Sequence, residues 1–123
     1  MTRSGLRTLL VLTAAFFFAL GSSAEAQRNA RPAFRIMMIA DGDSRLFAER
    51  QDVLKDEILE LMKEDAAVTF VEPKTKTNWT LEAAEAALKE GLSDRGVDMI
   101  IVSGPMSGVA AGRIAKLSKP VLI

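Results

Sequence analysis

The sequence predicts an α/β fold, a parallel β-sheet with flanking helices in the order β-α-β-α-β-α-β. Three apolar runs, at residues 34–40, 68–71 and 97–102, are typical of strands, and the first and third of strands buried on both faces. Between them, apolar residues recur every three or four positions, as they do in amphipathic helices. The short links between alternating elements favour parallel pairing through right-handed crossovers.

The first strand is predicted at residues 34–40 and is followed directly by a helix. The sequence DGDS after the strand consists of turn-forming and helix-capping residues. From Arg45 the apolar positions follow a helical period that ends near Lys63. We expect either Asp43 or Ser44 to be the N-cap of this helix.

The second strand, at residues 68–71, leads through a polar loop into a second helix. Thr80 is the predicted N-cap, and Glu82 in the first turn complements the helix dipole. The alanine-rich stretch 83–87 favours helix. The sequence SDRG at residues 93–96 ends it.

The third strand, at residues 97–102, leads through the loop SGPMSG into a third helix that Lys119-Pro120 ends. Four apolar residues are expected on the buried face of this helix: Val109, Ala110, Ile114 and Leu117. Residues 121–123 begin a fourth strand. A parallel strand without a covering helix indicates an incomplete unit, so residues 34–123 are expected to be one partial α/β lobe.

The composition excludes several kinds of chemistry. The 123 residues include no cysteine and no histidine, which excludes disulfides, thiol nucleophiles and Ser-His-Asp catalysis. The 16 basic and 16 acidic residues balance, a charge that does not favour nucleic acid or an anionic membrane surface as partner. We expect no cofactor, no bound metal and no enzymatic activity.

Residues 1–26 have the pattern of a cleaved secretory signal peptide. Arg3 and Arg7 form a basic start, an apolar run follows at residues 9–20, and an A-x-A cleavage site comes last. The run is shorter than the roughly 20 residues of a spanning helix, which makes an uncleaved anchor the weaker alternative. The chain is therefore expected to be periplasmic and, after cleavage, to begin with a polar lead-in at residues 27–33.

A candidate ligand site lies at the carboxyl ends of the strands, where the strand order reverses. For the order 2-1-3-4, this point lies between the loops 41–44 and 103–107, which both lead into helix N-termini that attract anions. The candidate ligand-binding residues are Asp41, Asp43, Ser44, Ser103, Gly104 and Ser107. The alternative is that these are ordinary turn residues.

Two further side chains are placed near the same edge of the sheet. Glu72 follows the second strand, and Trp79 precedes the N-cap of the second helix. Trp79 is expected either to stack on a ligand from the rim, or to pack across the start of the helix that it precedes or against a neighbouring loop.

Several segments together resemble a known family. These are FRIMMIADGDS, VTFVEP, NWT before an alanine-rich helix, and above all residues 96–123. They resemble the N-terminal lobe of type I periplasmic binding proteins, in particular the ABC-transporter substrate-binding group. That resemblance implies a lobe that binds a small polar solute and presents it to a membrane permease. It also implies solute contacts for five residues, namely Asp43, Ser44, Ser103, Gly104 and Ser107.

Two other functions remain open at this point. One is an interaction domain of an envelope assembly, including one that serves efflux, with no small ligand. The other rests on the similarity of Asp41-Gly42-Asp43 to the opening motif of haloacid-dehalogenase-like phosphatases. That similarity implies a nucleophilic first aspartate, an acid/base second aspartate, Mg²⁺ bound by carboxylates and a phosphate-holding Ser103.

Overall fold

Within residues 31–123, seven elements alternate and build a four-stranded sheet in which every neighbouring pair is parallel. The computed structural model describes residues 31–123. The predicted signal peptide at 1–26 and residues 27–30 of the lead-in lie outside the described residues. The strand order is 2-1-3-4, as predicted, and the α/β class is confirmed.

The strands lie close to their predicted positions. They are β1 Ala33–Ala40, β2 Ala67–Val71, β3 Met99–Ser103 and β4 Val121–Leu122. β1 begins one residue earlier than predicted, because Ala33 pairs with Ala67 and the Ala67 N–H donates to the Pro32 carbonyl at 2.8 Å. β3 begins later, because Val97 is part of a turn in which its N–H donates to the Asp94 carbonyl at 3.1 Å.

The helices are α1 Arg45–Met62, α2 Leu81–Ser93 and α3 Pro105–Arg113. Thr80 caps α2 as predicted, since its hydroxyl accepts from the Ala83 N–H at 3.2 Å. Ser44 is the N-cap residue of α1, but its side chain makes no capping hydrogen bond. The amide groups of the first turn of α1 are therefore left without a side-chain cap.

α3 differs from its prediction in length and in its buried face. It ends at Arg113, and of the four predicted face residues only Ala110 is fully buried, while Val109 is 51% exposed and Leu117 40% exposed. The next segment is held at the carboxyl end of α2 instead: the Lys119 ammonium donates to the carbonyls of Gly91 and Asp94. Carbonyls at the carboxyl end of a helix carry partial negative charge and attract a cation, and that of Asp94 also accepts from the Val97 N–H.

The sheet has an apolar core on each face. Alternate residues of β1 point to opposite faces, so its central residues are buried in two separate clusters. α2 and α3 cover one face, with Met37, Ile39, Leu88 and Ile100 among its fully or almost fully buried residues. α1 packs on the other face through half-buried Leu54 and Ile58, and none of its own residues is fully buried.

Gly91 allows α2 to approach the sheet closely. A Cβ atom at this position would lie 2.8 Å from both the Ile100 Cδ1 and the Met37 Sδ. Gly112 in α3 is the contrasting case, because nothing lies within 4 Å of the corresponding position. The absence of a side chain at Gly91 is thus required by packing, whereas at Gly112 it is not.

We predict opposite effects for alanine at these two glycines. Gly91→Ala lowers the free energy of unfolding by about 1 kcal/mol, because overpacking outweighs the gain in helix propensity. Gly112→Ala raises it by up to ~1 kcal/mol, because only the propensity changes. Denaturant unfolding of the two variants and the parent chain measures both values. Equal effects of the two variants would contradict close packing at Gly91.

Candidate functional site

A buried carboxylate joins the end of β1 to the start of α3. Asp41 is 0% exposed, and its side chain accepts hydrogen bonds from the N–H groups of Met106 at 2.8 Å and Ser107 at 2.7 Å. The Ser107 hydroxyl donates to the same carboxylate at 2.5 Å. The Asp41 N–H in turn donates to the Ser103 carbonyl at 3.1 Å. The two predicted loops therefore lie side by side, as the strand order required.

This carboxylate occupies the position at which the N-terminus of α3 would bind an anion. The first-turn N–H groups of a helix carry partial positive charge, and Asp41 satisfies two of them. Gly104 has φ +121°, and a Cβ there would lie 2.4 Å from the Asp41 carboxyl carbon. Ser107 is also 0% exposed. Asp41, Gly104 and Ser107 thus form one internal contact, which we call the Asp41–α3 link.

The loop after β2 is fastened to the end of β1. The Thr77 hydroxyl donates to the Ala40 carbonyl at 2.7 Å, and the Trp79 N–H donates to the Asp41 carbonyl at 2.7 Å. Asn78 and Trp79 have φ values of 48° and 60°, in the left-handed region that bulky side chains rarely adopt. The two hydrogen bonds and the packing of the indole hold this unusual backbone in place.

Trp79 packs across the start of α1. Its ring centroid lies 5.5 Å from that of Phe47, with the planes tilted by 34°. A Cβ at Gly42 would lie 2.2 Å from the indole Nε1, so the turn after β1 contacts the indole directly. Trp79 therefore packs against the neighbouring turn after β1 and on Phe47 of α1, and not across the start of α2, with about half of the residue still exposed.

A cleft of about 460 Å³ opens at the carboxyl ends of β1 and β2. Its walls are the turn 42–44, the first two turns of α1 and the loop 72–78. Asp43, Ser44 and Glu72 line it, whereas Ser103, Gly104 and Ser107 do not. The cleft is on the β2 side of β1, because the Asp41–α3 link fills the space on the β3 side.

The cleft presents unpaired polar groups of both charges. Asp43, Glu72 and Lys76 are exposed, and in the described part of the chain none of them makes a hydrogen bond or an ion pair. The Ser44 hydroxyl is likewise unbonded. Two carboxylates, one ammonium and one hydroxyl are therefore available to a solute.

Glu90 of α2 fixes the middle of the cleft loop. Its carboxylate accepts hydrogen bonds from the Lys74 N–H at 2.8 Å, the Thr75 N–H at 3.1 Å and the Thr75 hydroxyl at 2.9 Å. The bond from the Lys74 N–H, with those from Thr75, lowers the pKa of Glu90 despite some desolvation, because all of them favour the charged form.

Lys76 and Gln51 are among the cleft residues that sequence reasoning missed. Lys76 belongs to the polar loop KTKTN, which follows a strand at the ligand-binding edge, and this position was a usable signal. Gln51 lies four residues after Phe47 and three before Leu54, so it is a polar residue within the sheet-facing stripe of α1. A polar residue in such a stripe calls for an explanation.

Comparison of this chain with protein-family models, curated proteins and solved structures gives no match. Among residues 31–123, no helix has the length and apolar character needed to cross a membrane. The same residues bring together no group of three or more acidic side chains that could hold a metal ion.

The Asp41–α3 link gives a stability prediction. Asp41→Ala leaves the N–H groups of Met106 and Ser107 and the buried Ser107 hydroxyl without this acceptor, so it lowers the free energy of unfolding by about 2–3 kcal/mol. Asp43→Ala, two residues away and exposed, changes it by less than about 0.5 kcal/mol. Denaturant unfolding of both variants measures the difference. A loss at Asp41 no larger than at Asp43 is inconsistent with the link.

Glu90 gives a pH prediction. Because the pKa of Glu90 is lowered in the folded chain, its charged side chain stabilises the fold fully above the pKa it has in the unfolded chain. This stabilisation is lost as the pH falls through the pKa of the folded chain. The free energy of unfolding of Glu90→Gln therefore falls less steeply with acidification than that of the parent. Glu57→Gln, at an exposed glutamate in the middle of α1 with no hydrogen bond or ion pair in the described residues, is the control. The measurement is the free energy of unfolding from neutral to acid pH, and unchanged acid slopes in Glu90→Gln would refute the assignment.

Proposed function

We propose that this chain binds a small polar solute in the cleft at the carboxyl ends of β1 and β2. The observation that carries the proposal is a cavity of about 460 Å³, within the usual size range of ligand sites, lined by unpaired groups of both charges. Unpaired groups at the ligand-binding edge of a parallel sheet favour binding over a purely structural role. We further propose that binding serves an ABC-type import system in the periplasm, through a membrane permease.

Each polar group has a distinct part in this proposal. The carboxylates of Asp43 and Glu72 accept hydrogen bonds from ammonium or hydroxyl groups of the solute. Lys76 and the uncapped N-terminus of α1, with the Ser44 hydroxyl, bind its anionic or carbonyl oxygens. Asp41 and Ser107 are not assigned to the solute, because they are buried and bonded to one another.

The resemblance to periplasmic binding proteins and the export pattern of residues 1–26 support the same proposal. The resemblance covers the turn 42–44, whose Asp43 and Ser44 line the cleft. The site differs from the one the resemblance implies, since the loop after β3 does not take part.

A second candidate function is docking to a partner protein of an envelope assembly. Three apolar residues of α1 favour it: Leu46, Val53 and Leu61 are 54%, 64% and 75% exposed. At helical spacing they lie along one flank of α1. This function would survive the loss of the charged groups of the cleft, whereas solute binding would not.

Solute binding is tested on the exported protein with a panel of L-amino acids, aldoses and ribonucleosides. A ligand at a hundred times its Kd adds about 2.7 kcal/mol to stability, which is visible as a raised Tm. Trp79 is the only tryptophan of the chain and packs on Phe47 of the cleft wall, so its fluorescence is a second readout.

The charged groups provide the variants for this test. Asp43→Asn and Lys76→Met are expected to weaken binding of the solute that raises the Tm, because each removes one unpaired charge from the cleft. Glu82→Gln, an exposed charge change outside the cleft, leaves binding unchanged. A panel in which no compound changes either the Tm or the fluorescence would rule out the proposed function.

A further inference from the structure

Gln51 interrupts an otherwise apolar stripe of α1. Phe47, Leu54 and Ile58 share its side of the helix: Leu54 and Ile58 pack against the sheet, and Phe47 contacts Trp79. Gln51 instead lines the cleft. Its position is about two helical turns from the N-cap Ser44, or roughly 10 Å along the axis, so it lies at the inner end of the α1 wall.

The side-chain amide of Gln51 has no hydrogen-bond partner. The Nε2 atom is buried, and among the described residues it is the only buried side-chain nitrogen or oxygen that makes no hydrogen bond. A buried donor without a partner is destabilising, and native proteins rarely keep one without a reason. The apolar Met38 and Phe47 also line this cleft, which strengthens any hydrogen bond made there.

We infer that Gln51 recognises the solute by donating a hydrogen bond from Nε2 to an oxygen of its inserted end. The inference rests on the proposed function and adds the chemistry of that end: a hydroxyl or carbonyl oxygen, not an ammonium group. The terminal torsion of glutamine has a broad energy minimum, so a modest rotation aims the N–H into the cleft. The charged groups of Asp43, Glu72 and Lys76 then contact the remainder of the solute.

A structural role for Gln51 predicts different behaviour from a solute-binding role. Gln51→Met keeps the length of the side chain and removes its polar atoms. If Gln51 supported the fold, this variant would lower the Tm. If Gln51 serves the solute, the variant keeps or raises the Tm of the free protein, because it removes a buried unpaired donor, and it binds solute about tenfold more weakly.

The experiment measures the Tm and the Kd of the exported full protein for Gln51→Met, Gln51→Glu and the parent. Glu57→Met is the matched control, an exposed position on the same helix outside the cleft. The probes are pairs that differ by one oxygen: L-serine and L-alanine, D-ribose and its deoxy analogue, adenosine and its deoxy analogue. Gln51→Glu has nearly the same size but lacks the N–H donor, so it is expected to bind as weakly as Gln51→Met.

The outcomes separate this inference from the proposed function. The inference is supported if, for one probe pair, the parent binds the compound with the extra oxygen about ten times more tightly than the compound without it. This ratio of the two Kd values then falls to about one in Gln51→Met but not in Glu57→Met. A lower Tm for free Gln51→Met overturns it, as does a Kd ratio that Gln51→Met leaves unchanged. If no probe binds the parent protein, the proposed function fails and this inference with it. If probes bind the parent and Gln51→Met equally well, only this inference fails.

Discussion

The arrangement of this protein depends on one buried contact, the Asp41 carboxylate at the N-terminus of α3. The contact joins residues 66 positions apart in the chain, and it continues the pairing of β1 with β3 beyond the last ladder residue. A carboxylate buried away from water is stable only when its oxygens are satisfied, and here two amide groups and a hydroxyl do so. The link therefore fixes the loops at the central strands before any ligand is considered.

The position of the cleft follows from that link. In open parallel sheets a ligand usually meets the helix N-termini at the strand ends, and those of α1 and α3 follow the central strands β1 and β3. The Asp41 carboxylate binds the N-terminus of α3, whereas the N-terminus of α1 has no side-chain cap. The polar groups left unpaired accordingly gather on the β2 side, around Asp43, Glu72 and Lys76. Asp41 thus divides the carboxyl edge of the sheet into a filled part next to β3 and an open cleft next to β2.

The fold was predictable because its signals are local and repeated. The apolar runs of β1 and β3, the helical period of α1 and the Thr80 cap each lie in a few consecutive residues, and all proved correct. The end of α3 at Arg113 was not predicted, since the stop signal Lys119-Pro120 lies beyond it in a segment where Lys119 contacts carbonyls of α2. For the candidate site, the edge of the sheet at which it lies followed from the strand order. The hydrogen bonds of the Asp41 carboxylate with the start of α3, which leave that side chain unavailable, did not follow from it. Gln51 was visible in the sequence only as a mismatch within a periodic stripe.

The fastening of the loop after β2 has a consequence for how this protein can adapt. Glu90 holds the loop at Lys74 and Thr75, and the end of β1 holds it at Thr77 and Trp79. Lys76 lies between these two anchors without a partner in the described residues. For the solute binding proposed above, adjustment of this wall therefore falls to unpaired side chains such as Lys76 and not to the anchored backbone. A substitution at Lys76 would change the charge of the wall and leave the hydrogen bonds at both anchors in place.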